Sequence, residues 1–139
     1  VALPLYVCAC SAAAFGPLGL IGGALVLLGL AFETVGDLQL ARFKADPENR
    51  GKVMDRGLWR YTRHPNYFGE ATMWWGLYLI ALNVPGGWLT IVSPLTITFL
   101  LLRVSGVPML EKGRMNERPG YREYVERTNA FFPWFPRKP

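Results

Sequence analysis

The fold is decided at residues 57–70, where the chain reads Gly57-Leu58-Trp59-Arg60-Tyr61-Thr62-Arg63-His64-Pro65-Asn66-Tyr67-Phe68-Gly69-Glu70. This segment contains the only histidine of the protein and continues directly into Ala71 to Leu102, which has no charged residue. A polar, aromatic cluster beside a long apolar run indicates a site at a membrane surface. The alternative is a basic, aromatic anchor that flanks a transmembrane helix. Such an anchor, however, has no need of a His-Pro-Asn sequence or of a glutamate entering the membrane.

Charged residues are confined to two blocks separated by apolar segments. All fifteen Lys and Arg residues lie between Arg42 and Arg63 or between Arg103 and Lys138, and Val1 to Phe32 has no charge. A soluble amphipathic protein scatters charge along every helix, whereas a polytopic membrane protein separates it in this way. The predicted fold class is therefore all-α: a polytopic membrane protein with about three to four transmembrane helices and a short interfacial C-terminal helix.

The chain, residues 1–139, is predicted to form a single membrane domain and to be the C-terminal part of a longer protein, because it starts inside an apolar run. Pro65 is expected in the first turn of a helix with His64 at its cap, since proline has no N–H to leave unpaired there. Pro94 is expected to kink a later helix. The predicted segments are a partial transmembrane helix at 1–15, a transmembrane helix extending into the cytosol at 18–45, a cytosolic loop at 46–64, transmembrane helices at 65–83 and 87–111, and a cytosolic interfacial tail at 112–139.

The distribution of charge also predicts the location. An uncharged turn at 83–87 lies opposite the basic blocks, so the positive-inside rule places those blocks in the cytoplasm, with the protein in the bacterial inner membrane. This rule and anionic lipid account for the net charge of +5, so nucleic acid is not an expected partner. Gly19 and Gly23 fit the small-xxx-small spacing of packed membrane helices.

The C-terminal segment carries an apolar stripe of Tyr121, Tyr124 and Val125 on a short charged helix, which predicts a helix lying at the membrane interface. Trp59 and Tyr61 suit the same interface. The aromatic, proline-rich residues 131–136 are expected to be extended and to pack back over the cytoplasmic face.

Several polar residues are candidates for binding a planar, anionic cofactor. Phosphates would attract Arg60, Arg63 and Arg103, and the rings of Trp59, Tyr61 or Tyr67 would stack on a base. One histidine together with Cys8 and Cys10 does not make a metal site.

Two pairs of polar residues are spaced for a common helix face. Glu33 and Asp37 are four residues apart, and so are Asn66 and Glu70. Acidic side chains at the end of a spanning helix either emerge into water or face a polar pocket. Both interpretations of Glu33 and Asp37 are open from the sequence.

The motif Gly57-Leu58-Trp59-Arg60-Tyr61 followed by Asn66-Tyr67-Phe68-Gly69-Glu70 resembles the C-terminal domain of the steroid 5α-reductase family, closest to its bacterial membrane members. That family reduces an activated C=C bond with NADPH. The resemblance implies that Asp37, Asn66 and Glu70 contact the nicotinamide or ribose, that Arg103 lies near the phosphates, and that the substrate-polarising acid belongs to an N-terminal half. The implied activity is an NADPH-dependent reduction of a lipophilic enone in the membrane.

A second resemblance gives a different cofactor. Arg63-His64-Pro65, then Glu111, then Tyr121 and Tyr124 are similar to isoprenylcysteine carboxyl methyltransferases, which bind S-adenosylmethionine with the Arg-His-Pro segment. A third hypothesis is a non-catalytic membrane subunit of a larger complex. The candidate cofactor-binding residues over both enzymatic hypotheses are Asp37, Arg60, Tyr61, Arg63, His64, Asn66, Tyr67, Glu70, Arg103 and Glu111.

Overall fold

The computed structural model describes residues 2–5 and 16–138, and within them it contains helices and turns but no strand. The predicted all-α class is therefore confirmed. Most of the partial helix predicted at 1–15, including Cys8 and Cys10, lies outside the described residues. The α-helices are α1 (Pro17–Ala45), α2 (Pro65–Ala81), α3 (Val92–Phe99), α4 (Val107–Glu117) and α5 (Tyr121–Arg127), with 3₁₀ turns at Pro47–Asn49, Gly57–Arg60 and Gly87–Ile91 and a π-helical turn at Leu100–Val104.

Two segments of the described chain are long and apolar enough to cross a bilayer. They are Pro17–Ala45 and Gly87–Met115, each 29 residues in length. Helix α2 has 17 residues, which corresponds to a length of about 26 Å against about 30 Å for the hydrocarbon core of a bilayer. A membrane location is thus supported by two helical segments, and the three to four spans remain a prediction.

Glycines allow α1 and α2 to pack with their backbones in contact. Gly22 of α1 lies against Gly76 of α2, and Gly29 lies against Gly69. A Cβ atom on any of these four glycines would come within 2.4–2.6 Å of a backbone oxygen on the opposite helix. Of the pair Gly19 and Gly23 singled out by their spacing, Gly19 is buried, but Gly23 faces away from α2, because a Cβ there would meet nothing within 4 Å. The packing glycines instead repeat every seven residues, a period that keeps one seam facing a partner helix.

The helix predicted at 87–111 is not continuous. After the 3₁₀ turn and α3, the chain widens into the π-helical turn and leaves helical geometry at Gly106, whose φ and ψ are −83° and −103°. The carbonyl of Leu100 accepts hydrogen bonds from the backbone N–H groups of both Ser105 and Gly106, so the break leaves this carbonyl satisfied. Pro94 lies in the first turn of α3, where proline is tolerated because a backbone N–H there has no partner within the helix. The break in the helix therefore occurs at Gly106 and not at Pro94.

The C-terminal segment differs from the predicted tail in two ways. Residues 112–117 are helical and continue α4. The stripe on α5 does not face a membrane, because Tyr121 and Tyr124 are buried against the protein and the hydroxyl of Tyr124 donates to the carbonyl of Trp59. The amphipathic pattern that predicted an interfacial helix is therefore explained by packing within the fold. The residues that follow are extended, as expected, and Phe131 packs in a core with Ala71 and Leu101.

Candidate functional site

The loop before α2 contains a 3₁₀ turn, Gly57–Arg60, that packs on α1. The indole N–H of Trp59 donates to the carbonyl of Gly36 over 2.9 Å, and the backbone N–H of Leu58 donates to the side-chain oxygen of Gln39 over 2.9 Å. Gly57 has φ +58°, and a Cβ there would lie 2.5 Å from Gln39, so the turn requires glycine. Trp59 is only 4% exposed and is a core residue, in contrast to its expected place at the interface.

The same end of α1 receives the first turn of α2, where two predicted site residues meet. Pro65 lies at the first position of α2 with His64 at the cap, as expected, and it packs against Gly36. The carboxamide nitrogen of Asn66 donates to a carboxylate oxygen of Asp37 over 3.2 Å. The carboxamide oxygen of Asn66 accepts from the backbone N–H of Tyr67. This amide is therefore oriented from both sides.

Two further acids flank this pair. Glu33 precedes Asp37 by one helical turn, and Glu70 follows Asn66 by one turn on the facing helix. Both are half-buried, and their carboxylates are close enough to interact electrostatically. Because the backbone N–H of Glu33 lies against Gly69, the helix crossing itself brings the acids together. The two acids of α1 differ in their surroundings: Glu33 is half-buried at the helix crossing, whereas Asp37 is exposed.

The Arg-His part of the motif faces a different partner, Glu111 of α4. The guanidinium of Arg63 donates to both carboxylate oxygens over 2.7 and 3.1 Å, and His64 Nε2 lies 3.0 Å from one of them. Arg63 also donates to the carbonyls of Val125 and Thr128, which follow in α5 and just after it. His64 is 1% exposed and stacks on Tyr67. This cluster, Arg63–His64–Glu111, holds the C-terminal segment on the motif.

The remaining predicted site residues are not joined to either group by a contact. Arg103 is exposed on the π-helical turn and makes no hydrogen bond or ion pair with a described residue. The break at Gly106 separates it from Glu111, with which a shared face was expected. Tyr61 packs edge-on against Phe135.

Arg60 lines a cavity of about 490 Å³ that sequence reasoning did not identify. Five cationic side chains and one carboxylate line it, and the carboxylate of Asp55 is ion-paired with Arg127. The cations come from the motif loop, from α5 and from the chain end, so only the fold brings them together. We call this the basic cavity; its lining residues are Asp55, Arg56, Arg60, Arg127, Thr128, Pro136, Arg137 and Lys138.

The packing of α5 predicts a loss of stability at alkaline pH. Burial and the neighbouring Tyr121 raise the pKa of Tyr124 above its ordinary value of 10.0. The folded protein therefore keeps this proton when the unfolded chain has lost it, and stability falls as the pH rises above about 10, by at most about 1.4 kcal/mol per pH unit for one group. Thermal unfolding measured from roughly pH 8 to 11, the range around an ordinary tyrosine pKa, is expected to be less pH-dependent for Tyr124→Phe. Parallel pH profiles for the two proteins would contradict this origin.

The comparisons with known proteins give one match. A family model described as protein of unknown function, DUF1295, matches residues 1–128. No curated protein and no solved structure matches the chain.

Proposed function

The chain belongs to the DUF1295 family, and we propose that it forms the cofactor-binding part of a membrane-embedded reductase that uses NADPH to reduce the C=C bond of a lipophilic enone. The observation that carries the proposal is the hydrogen bond between Asn66 and Asp37, made across the α1–α2 crossing at the charged end of an apolar helix pair. The resemblance of the Asn66-Tyr67-Phe68-Gly69-Glu70 motif to the steroid 5α-reductase family supports the same reaction.

The chemistry of this pair suits the nicotinamide end of the cofactor. A nicotinamide carries a carboxamide with N–H donors and a carbonyl acceptor. Asp37 is exposed and has carboxylate lone pairs beyond the one that accepts from Asn66, and Glu70 offers further acceptors one turn along α2. These side chains would bind and orient the amide, and NADPH when bound would supply the hydride.

The basic cavity suits the phosphates. Its five cations against one carboxylate leave a net charge of +4, which complements a pyrophosphate and a 2′-phosphate. The Gly57–Arg60 turn, which carries Arg60, and the first turn of α2 both pack on α1 at Gly36. The residues proposed to bind the amide and those proposed to bind the phosphates therefore lie toward the same end of the helix pair.

The methyltransferase alternative is supported less well by the contacts. It relies on Arg63 and His64 to bind S-adenosylmethionine. Four hydrogen bonds to Glu111, Val125 and Thr128 already engage the guanidinium of Arg63, and the side chain of His64 is buried. A ligand would have to displace these contacts before it could use either residue.

The experiment is a titration of the full chain in lipid nanodiscs with NADPH and, separately, with S-adenosylmethionine. We expect NADPH to bind, and Asn66→Asp to weaken its binding about tenfold or more. The substitution removes a donor and places a third carboxylate beside Asp37 and Glu70, at a cost on the order of 1–3 kcal/mol.

Asn83→Asp is the matched control. It makes the same chemical change in the turn at the opposite end of α2, where Asn83 donates to the carbonyls of Leu79 and Ile80. We expect it to leave NADPH affinity unchanged. Equal weakening by the two substitutions, or binding of S-adenosylmethionine in place of NADPH, would overturn the proposal. Absence of any cofactor binding, with loss of a co-purifying membrane protein on substitution of Asn66, would favour a non-catalytic subunit.

A further inference from the structure

The end of the chain is extended but held firmly in place. We call residues 131–138 the strap. The hydroxyl of Thr62 donates to the carbonyl of Phe131 over 2.8 Å, the backbone N–H of Trp134 donates to the carbonyl of Tyr61 over 3.0 Å, and the backbone N–H of Arg137 donates to the carbonyl of Arg127 over 2.8 Å. The strap is therefore fixed at its beginning, middle and end against the motif loop and α5.

Fixing the backbone in this way directs large apolar side chains away from the protein. Phe131 is 6% exposed, but Phe132, Trp134 and Phe135 are 68%, 69% and 74% exposed. Contiguous exposed apolar residues on a soluble surface generally mark a place that binds a membrane or a protein. Aromatic residues beside basic ones are characteristic of the region between lipid headgroups and acyl chains.

The position of the strap along the helices favours a bilayer as the partner. The ring of Phe132 lies 6.1 Å from that of Phe68, which in turn lies 5.1 Å from that of Phe32. Phe32 is the last residue of the uncharged run of α1, and Glu33 is the first charged one. The strap therefore begins at the level where α1 changes from apolar to charged, which is the level of a membrane surface.

The charge beside the strap has the sign that an anionic lipid surface attracts. Arg137 and Lys138 of the strap join three arginines around the basic cavity. Cations near an anionic leaflet contribute about 1 kcal/mol each to membrane association. A soluble acidic partner would be attracted as well, but it would not explain why the exposed aromatics start at the apolar-to-charged boundary.

We propose that the strap is a membrane-interface element: Trp134 and Phe135 insert below the headgroups of an anionic leaflet, and this insertion holds residues 136–138 as one wall of the basic cavity. The insertion needs no cofactor and stands apart from the proposed reductase activity. The insertion positions the last residues of the strap, and these residues line the basic cavity that is assigned above to phosphates.

The test is tryptophan quenching in nanodiscs made of phosphatidylcholine and phosphatidylglycerol, with a phospholipid brominated near the top of its acyl chains. The signal of Trp134 is the difference between the emission of the full wild-type chain and that of Trp134→Phe. We expect bromine to quench this difference signal by more than half and aqueous iodide to leave it nearly unchanged. Without phosphatidylglycerol, bromine quenching is expected to decrease.

The protein provides its own reference positions for this measurement. Trp59 is buried, so the signal lost in Trp59→Phe should be shielded from both quenchers. Trp88, in the uncharged turn region at the other end of α2, is 63% exposed and serves as the exposed reference. Quenching of Trp134 by iodide alone would show that the strap stays in water. Protection from both quenchers would show that protein, another chain or a second copy, covers it. Either result would overturn the proposal, and neither would bear on NADPH binding.

Discussion

Replacing Gly29 with alanine is expected to lower the free energy of unfolding by about 3 kcal/mol and to separate α1 from α2. The added Cβ would lie 2.4 Å from the carbonyl oxygen of Gly69 and 2.6 Å from the backbone nitrogen of Met73. Both are backbone atoms of α2 and have no rotamer through which to move away. The helices must therefore move apart along a contact that includes Gly22 and Gly76 as well.

Gly23→Ala is a control in the same helix. A Cβ at this position meets nothing within 4 Å, so only helix propensity changes, and alanine is favoured over glycine by about 1 kcal/mol. The two substitutions should therefore shift stability in opposite directions. Unfolding of the protein in micelles, followed by circular dichroism, measures both, and Gly69→Ala should reproduce the effect of Gly29→Ala. Equal stability of the Gly23 and Gly29 variants would contradict the close α1–α2 contact.

The sequence predicts where α1 and α2 lie in the chain, but it does not predict which of their faces pack together. The uncharged run and Pro65 were sufficient to place α1 and α2, because length, apolarity and the missing N–H of proline act locally. The sequence does not indicate which glycines face the partner, since α1 has several glycines and all are compatible with a membrane helix. Gly19 and Gly23 had the familiar spacing, but the partner's own glycines, Gly69 and Gly76, select a seven-residue repeat.

One part of the candidate site could be predicted from neighbouring residues in the sequence, whereas another part depends on residues that are far apart in the chain. Asn66 and Glu70 were placed on one face by the period of a helix, and Asp37 was expected to lie near them through the family resemblance. The basic cavity depends on loop and chain-end residues 67 or more positions apart, from Arg60 to Arg127, and no local pattern predicts that closure. The break at Gly106 likewise depends on how Leu100 and Leu101 pack, and the apolar run through this region gave no sign of it.

Glu111 shows how one distant residue determines the role of a motif. Arg63 and His64 are adjacent in a basic, polar segment, which indicated ligand binding. In the fold their side chains are largely withdrawn from solvent, so the guanidinium of Arg63 requires an anionic partner and the ring of His64 requires a hydrogen-bond partner within the protein. Glu111 provides it from α4, and the same arginine binds the carbonyls at the end of α5. The motif thus serves two purposes: Arg63 and His64 hold the C-terminal segment, while Asn66 and Glu70 remain on the α1–α2 surface.

This division predicts a large effect for Glu111→Ala. The substitution leaves the guanidinium of Arg63, 10% exposed, without its carboxylate and removes the partner of His64. Loss of one member of a buried ion pair costs about 3–5 kcal/mol. The penalty should fall on the contact between the motif and the C-terminal segment, so we expect amide hydrogen exchange in residues 121–134 to accelerate at least about tenfold, while α1 and α2 retain their protection.

Two further variants separate loss of charge from loss of packing. Glu111→Gln keeps the shape and one carbonyl acceptor, so it should give an intermediate increase in exchange. Glu117→Ala removes an exposed carboxylate from the same helix and should leave exchange in residues 121–134 as in the wild type. If Glu111→Ala and Glu117→Ala behave alike, the Arg63–His64–Glu111 cluster does not hold the C-terminal segment. Arg63 and His64 would then again be candidates for binding a cofactor, and the contacts would no longer favour the reductase over the methyltransferase.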